Sequence, residues 1–286
     1  MKRLLILAFF TILPSLTMAQ YNMRPSAYFQ DMLFYNPAST PEMGEASQRL
    51  LLYSRTKIIP ENEGIWEKSP TFYADYLSMN EDKSSYFTVG YMNDNYSYFS
   101  RNSLYGGYGK ILKLGNNSSL TFGGRLALHS DIINWSNYQI PNEETGNSLR
   151  LSPDFDLGAQ FQWKAFKIGA SLRNTIGLSQ KLDEEDIITT QRAFVINTSY
   201  EFTINERLIV APYVLLYTEL KTEIDAGVFL SFDRNVNFSY LIRVNELRSI
   251  FTLEGRLYRG LSIGVAYDQS PLLPSNNLDI FVRYFF

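Results

Sequence analysis

The sequence predicts an all-β protein, a closed transmembrane β-barrel of about 14 antiparallel strands that run up and down. Three observations predict this fold. Apolar and polar residues alternate along most of the chain, the alternating runs are long enough for a tilted strand to cross a bilayer, and the connections between them are long and short in turn. No stretch approaches the roughly 18 consecutive apolar residues that would predict a membrane-spanning helix.

Residues 278–286 show the alternation most clearly. Asp279 and Arg283 fall on one face of an extended strand, and the opposite face is apolar, with Leu278, Ile280, Val282, Tyr284 and Phe286. In a membrane barrel the apolar side chains of such a strand face lipid, its charges face the lumen, and its edge closes against the first strand. A buried last strand of a soluble sandwich is the alternative, although an apolar edge strand there would invite pairing with other chains.

Residues 1–19 are predicted to be a cleaved signal peptide. Lys2 and Arg3 form a positive start, residues 4–16 are apolar, and Thr17-Met18-Ala19 supplies a small-residue cleavage site. Export from the cytoplasm is therefore expected.

The mature chain is predicted to have two parts. Residues 20–47 are rich in Asn, Pro, Ser and Met and show neither helical nor strand periodicity, so we expect an irregular periplasmic or lumenal segment there. Residues 48–286 are expected to form the barrel. They contain fourteen strand-like runs, at 48–58, 71–79, 85–93, 102–113, 118–129, 153–163, 165–176, 191–202, 206–218, 222–232, 235–243, 249–258, 260–268 and 278–286.

Most of these runs have about nine to twelve residues, whereas strands of soluble proteins average about five or six. The connections between them give an independent argument. If the first strand rises outward from the periplasm, the odd-numbered connections are extracellular, and most of them are long: 59–70, 94–101, 130–152, 177–190 and 269–277. Two odd-numbered connections, near Lys221 and near Asn245, are short, and so are the even-numbered ones. Short periplasmic turns and longer outer loops are typical of bacterial barrels.

Charged residues on the polar faces of the predicted strands are expected to point into the lumen: Arg125, Asp156, Arg173, Glu201, Asp225, Arg243, Glu254, Arg256 and Arg283. On the lipid face at mid-bilayer a charge would cost roughly 2–4 kcal/mol. Because both signs occur, these residues could line a selective channel or pair with one another inside a narrow or plugged barrel.

Composition excludes several classes of function. Aromatic residues make up 15% of the chain, with 20 Tyr and 20 Phe, which fits the aromatic girdles of a barrel. The net charge of −3 comes without a basic stripe, so nucleic acid is not an expected partner. With no cysteine and one histidine, we expect no metal site and no cofactor. The acidic run at 183–186 could attract Ca²⁺, but such runs are more often solvated faces.

The single histidine, His129, is the candidate for hydrolase chemistry. Its neighbour Ser130 would point to the other face of the strand, so a Ser–His–acid triad is not predicted, and neither is catalysis. We expect His129 to be a polar rim or lumen residue. A barrel enzyme that acts on lipid is a third hypothesis, behind the two given below.

Short motifs spread over the mature chain resemble the PorP/SprF family of type IX secretion system outer-membrane proteins in Bacteroidota. The family's Asn-Pro-Ala motif corresponds to Asn36-Pro37-Ala38, the arginine of its first strand to Arg55, and the step into its second strand to Pro70-Thr71. Residues 153–174 look like its central hairpin. The sequence departs from the family at Ser39-Thr40-Pro41, where Tyr-Ala-Gly is usual.

The apolar final strand also resembles the signal by which bacterial barrels are handed to their insertion machinery, here carried by Tyr284 and Phe286. The family resemblance implies a non-enzymatic outer-membrane barrel of the type IX secretion and gliding machinery. Its implied partners are outer-membrane lipid, a secreted adhesin or other type IX cargo, periplasmic secretion or gliding components, and the barrel-insertion machinery. Docking or retaining secreted surface proteins is the first hypothesis, and a passive porin or small-solute channel is the second.

Overall fold

The computed structural model describes residues 24–28, 31–40, 43–58, 71–96, 99–134, 147–177, 179–182, 185–189, 191–271 and 276–286. Some sequence predictions lie outside these ranges, namely the signal peptide at 1–19, Pro70, and Asp183 and Glu184 of the acidic run. In the part of the chain that is described, no helix has the length and apolar character needed to cross a membrane.

Most of the described chain is β-structure. The strands are β1 (Gln48–Ile58), β2 (Thr71–Met79), β3 (Ser85–Tyr96), β4 (Phe99–Lys113), β5 (Ser118–Asn134), β6 (Asn147–Trp163), β7 (Phe166–Arg173), β8 (Ser179–Leu182), β9 (Glu185–Thr189), β10 (Ala193–Tyr200), β11 (Phe202–Thr203), β12 (Leu208–Thr218), β13 (Thr222–Phe232), β14 (Val236–Arg243), β15 (Arg248–Tyr258), β16 (Leu261–Gln269) and β17 (Asn276–Phe285).

These strands form one closed antiparallel barrel of 14 strands, in which β10 and β11 together make a single strand. Each barrel strand pairs with its neighbours in sequence, and the first strand pairs with the last, from Arg49 opposite Phe285 to Ile58 opposite Asn276. Hairpin β8–β9 forms a separate small sheet between β7 and β10. The predicted fold class is confirmed, because every one of the predicted runs coincides with a barrel strand.

Two predicted loops are wrong where the flanking strands extend into them. The ladder between β3 and β4 continues to the pair Tyr96 and Phe99, where a loop at 94–101 was expected. Similarly, β5 and β6 remain paired up to Asn134 and Asn147, inside the loop expected at 130–152. Hydrogen bonds between strands do not require lipid, so a hairpin can extend past the membrane.

The two ends of the barrel differ. At the end where β1 begins and β17 finishes, adjacent strands are joined by short turns such as 80–84, 114–117 and 164–165. At the other end, the connections after β1, β5 and β7 are longer, and the one after β7 carries β8 and β9, whereas the connections after β3, β12 and β14 are short. By the usual pattern of bacterial barrels the short-turn end is periplasmic and the opposite end is outer.

The two faces of the wall also differ, as the alternation predicts. In β17, Asp279 is fully buried in the barrel interior while its neighbour Ile280 is 50% exposed on the outside. Large apolar side chains are exposed around the whole outer face, among them Leu52, Phe122, Leu126, Leu157 and Val265. This apolar band is the surface that a bilayer covers.

Candidate functional site: the barrel lumen

The barrel lumen is occupied by the chain's own residues 24–28 and 31–40, called the lumenal segment below. Tyr28, Tyr35 and Asn36 are at most 2% exposed. The segment's hydrogen bonds and ion pairs reach strands on all sides of the wall, including β1, β3, β6, β7, β13 and β17. A segment that contacts opposite walls of a closed barrel lies inside it.

The lumenal segment runs from the outer end toward the periplasmic end. Arg24 forms ion pairs with Glu223 and Asp225, close to the outer end of β13. Ser26 donates its backbone N–H to Asp279, close to the outer end of β17. Farther along, the Tyr35 carbonyl accepts a hydrogen bond of 2.7 Å from Ser171.

The Asn36-Pro37-Ala38 motif forms a tight turn near the periplasmic end. The Asn36 side-chain oxygen accepts a hydrogen bond from the Ala38 N–H at 2.9 Å, and its amide donates to the Ala159 carbonyl at 3.2 Å. Pro37 offers its carbonyl to the Tyr86 hydroxyl. Short side chains with local backbone hydrogen bonds are typical of turns, and here the same asparagine also holds the turn to the wall.

Glycines on the inner wall make room for this turn. A Cβ at Gly158 would overlap the Asn36 side chain, and one at Gly123 would overlap the Pro37 carbonyl. Backbone can approach backbone this closely only where no side chain intervenes. The motif and the wall at β5 and β6 are therefore complementary in shape.

Ion pairs fix the middle of the segment to β1 and β2. Arg49, which is fully buried, binds Asp31 of the segment and Asp75 of β2. Asp31 also accepts the Leu33 N–H at 3.3 Å and so caps the short 3-10 turn Met32–Phe34. Both carboxylates share one guanidinium, as buried charges require partners.

A second cluster surrounds the segment on the β5–β7 side. Arg125 donates to Asp156 at 3.0 and 2.5 Å and to the carbonyls of Leu33 and Phe34 at 3.3 and 3.0 Å. The Arg173 guanidinium lies 4.9 Å from the centre of the Phe34 ring, a cation–π contact. These arginines hold both backbone and aromatic groups of the segment.

Most of the predicted lumen charges lie in such buried pairs. Asp225 accepts from Arg243 at 3.2 Å and from the Tyr28 hydroxyl at 2.5 Å, and Glu254 accepts from Arg283 at 2.9 Å. The charged residues of the lumen thus pair with one another and with charged residues of the lumenal segment. This arrangement corresponds to the second alternative given above, in which the inward charges pair inside a plugged barrel.

Two predicted lumen residues lie outside this buried network. Arg256 is exposed, because β15 has a bulge between Arg256 and Tyr258 and ends there at the periplasmic rim. Glu201 lies between β10 and β11, where it pairs with Lys167 at 2.7 Å. Both residues are at inward positions of their strands, but they lie at the end of the barrel, where the side chains are accessible to water.

The remaining motif residues lie at three places. Arg55 pairs with Asp279 in the seam between β1 and β17, and Thr71 donates to Asp94 at 2.7 Å near the outer end. On the outer face at the periplasmic end, Tyr284 and Phe286 stack with ring centres 5.2 Å apart.

Sequence reasoning missed the aromatic core inside the barrel. Tyr28, Phe34 and Tyr35 pack against tyrosines of the wall, with Phe34 and Tyr73 5.4 Å apart and Tyr35 and Tyr217 5.8 Å apart. A cavity of about 20 Å³ lies beside them. The wall tyrosines fall at inward positions of the strand alternation, a signal that could have identified them.

His129 has a serine partner other than the one considered from sequence. Its Nδ1 lies 2.7 Å from the Ser103 hydroxyl, and its Nε2 is buried without a hydrogen bond among the described residues. Asp131, two residues on, binds Arg101 at 2.6 Å. In a catalytic triad a carboxylate orients the histidine through its second nitrogen, so this pair lacks that element. Over the same described ranges, no cluster of His, Asp and Glu has the arrangement of a metal site.

Comparison with known proteins identifies both a family and a fold. The family model of the type IX secretion system membrane protein PorP/SprF matches residues 17–278. Among curated proteins, none matches the chain in sequence.

Solved structures that resemble the chain are bacterial outer-membrane barrels. The Ralstonia pickettii toluene transporter TbuX superposes with a TM-score of 0.58 at 11% identity, over 94% of this chain and 96% of that one. The Acinetobacter baumannii outer membrane protein Omp33 gives 0.55 at 9% identity, over 86% and 100%. A Pseudomonas aeruginosa FadL homologue gives 0.52 at 12% identity, over 90% and 94%. At these identities the likeness establishes the fold alone.

Proposed function

Because the chain belongs to the PorP/SprF family of type IX secretion system membrane proteins, we propose that it docks or retains secreted surface proteins, such as adhesins, at the outer membrane. The observation that supports this role over a channel is the filled lumen. Arg49, Arg125 and Asp225 each bind a residue of the lumenal segment, and the cavity lined by Tyr28 and Phe34 has a volume of only about 20 Å³.

A passive porin needs a continuous water path along its axis. Here the lumenal segment forms ion pairs near the outer end, through Arg24. Near the periplasmic end its turn at Asn36 packs against the barrel wall. Leaving one partner of a buried ion pair without the other costs about 3–5 kcal/mol, so these pairs favour a segment that stays in the lumen. A barrel of this kind offers its rims and loops as binding surfaces instead of its interior.

The family also indicates partners within the secretion machinery. We propose that periplasmic secretion or gliding components contact the short-turn end, and that the exposed aromatic pair Tyr284 and Phe286 is read by the barrel-insertion machinery. Export through a cleaved signal peptide at residues 1–19 belongs to the same proposal.

The test compares the surface proteins of cells with and without this protein. If the proposal holds, at least one exported protein disappears from the surface when the barrel is absent and is found in the medium or inside the cell. Re-expression of the wild-type chain restores it. An unchanged set of surface proteins would contradict the docking role.

A further inference from the structure

Strand β6 has a free edge at the outer end of the barrel. It pairs with β5 along its whole length, from Asn147 to Trp163, but with β7 only from Leu157 to Trp163. The hairpin β8–β9, which follows β7, pairs only with itself within the described ranges. Along residues 147–154, the backbone edge that faces away from β5 therefore pairs with no described strand.

The direction of the backbone groups shows which residues form this edge. The Phe155 carbonyl accepts the Thr175 N–H at 3.0 Å, so odd-numbered residues of β6 direct their backbone toward the β7 side. Leu149 and Leu151 consequently present both N–H and C=O along the free edge. Pro153, the next odd residue, has no N–H to offer, and proline within a sheet is confined to such unpaired edges.

The free edge lies above the membrane. Trp163 is at the periplasmic end of β6. A tilted strand crosses the bilayer in about nine to eleven residues, so the membrane-spanning part of β6 ends near Pro153. Strand β7 ends at Arg173, opposite this same level. Unpaired backbone groups are not tolerated in lipid but are tolerated in water, so the edge at 149–153 faces the external medium.

Side chains at this edge favour an extended apolar partner. Leu149 and Leu151 are 65% and 62% exposed on the outward face. On the opposite face, Arg150 lies across from Asp131, whose charge is already paired with Arg101 at 2.6 Å. Water-exposed leucines on an unpaired strand edge are a template for strand addition.

We propose that the free edge of β6 binds an extended segment of a secreted partner protein, which adds to the barrel wall as one more strand. Its backbone pairs with Leu149 and Leu151, its apolar residues cover the two leucines, and an alternate acidic residue faces Arg150. Strand addition of this kind takes affinity from main-chain hydrogen bonds and specificity from alternate side chains. The partner's origin as secreted cargo rests on the proposed docking function.

The experiment uses Leu151→Pro in the full chain in cells, because this change removes an edge N–H that pairs with no described strand. Loss of one edge hydrogen bond corresponds to a roughly two- to tenfold weaker interaction, and retention of the surface protein should fall accordingly. Leu126→Ala is the matched control, since Leu126 is 68% exposed but is paired on both sides, with Gly106 and Phe155. The control should retain its partner fully.

A labelling measurement covers the case in which Leu151→Pro fails to fold. The chain has no cysteine, so Leu149→Cys introduces a single thiol. In secreting cells the partner strand should protect it from a membrane-impermeant maleimide, and the purified protein should label at least several times faster. Equal labelling in both, or normal retention by a folded Leu151→Pro, overturns the proposal. Disulfide-linked dimers of Leu149→Cys in cells would show a second copy of this chain at the edge and overturn it as well.

Failure of this proposal can be told from failure of the docking function. If surface proteins are lost without the barrel but are retained by Leu151→Pro, docking uses another surface and only the edge assignment fails. If surface proteins are unaffected by complete loss of the barrel, the docking function itself fails.

Discussion

Arg55 of β1 and Asp279 of β17 face each other across the seam that closes the barrel, joined by two hydrogen bonds of 2.8 and 2.9 Å. The same pair holds the lumenal segment, because Ser26 donates its N–H to Asp279 and accepts a hydrogen bond from Arg55 through its hydroxyl. One ion pair thus connects wall closure to lumen filling.

This relationship predicts that Arg55→Ala is strongly destabilising, because it leaves the fully buried Asp279 without its charged partner. Loss of one member of a buried pair costs about 3–5 kcal/mol. The unfolding temperature of the detergent-solubilised barrel, followed by heat-dependent gel migration, should fall clearly. Arg207→Ala is the control, since its pair with Asp233 is exposed, and it should leave the temperature unchanged. Equal effects of the two changes would contradict the account.

Substitution at Gly158 should displace the Asn36 turn from the wall, because a Cβ there overlaps the Asn36 side chain. Gly158→Ala is expected to make the lumenal segment more sensitive to added protease. The matched control is Gly255→Ala, where a Cβ would have no neighbour within 4 Å. If both variants resist protease as the wild type does, the tight fit between motif and wall is refuted.

The orientation of the barrel can be checked with single cysteines, since the natural chain has none. Val244→Cys lies in an exposed turn at the outer end and Asn116→Cys in an exposed turn at the periplasmic end. A membrane-impermeant maleimide should label the first on intact cells and the second only after the outer membrane is broken. The reverse pattern would invert the orientation and place the free edge of β6 in the periplasm.

The lipid-facing band predicts a large cost for charge at Leu126. Leu126→Arg should destabilise the folded barrel by roughly 2–4 kcal/mol in lipid vesicles, whereas Leu126→Ala should cost less. Urea-induced unfolding in vesicles measures both. A tolerated arginine at this position would mean that Leu126 lies outside the hydrocarbon region.

Alternation was sufficient to predict the barrel wall. In β17 it placed Asp279 and Arg283 inside and Ile280 outside, and the structure agrees. It was not followed far enough at the outer end of β6, where Leu149 and Leu151 still lie outward and Ser152 still lies inward beyond the predicted strand. Alternation also does not show how far along the barrel axis a residue lies. Arg256 is at an inward position of β15, but it lies at the rim and is exposed.

The contents of the lumen could not be predicted in the same way. Contacts such as Tyr28 with Asp225 join residues far apart in sequence, and residues 24–40 carry no periodicity that would give their position. A filled lumen was anticipated only as one of two alternatives, both for the inward charges, which could pair with one another, and for residues 20–47, which could be lumenal or periplasmic. Its aromatic part, built on Phe34, Tyr35 and Tyr73, was not anticipated.

Conductance of the purified wild-type protein in planar lipid bilayers tests most directly whether the lumen is filled. With the lumenal segment held by Arg49, Arg55 and Arg125, we expect no steady ion-conducting pore, and we expect conductance to appear in a variant that lacks residues 24–40. A steady wild-type pore, of the same size as that of the variant, would contradict the filled lumen and would favour a channel over a docking protein.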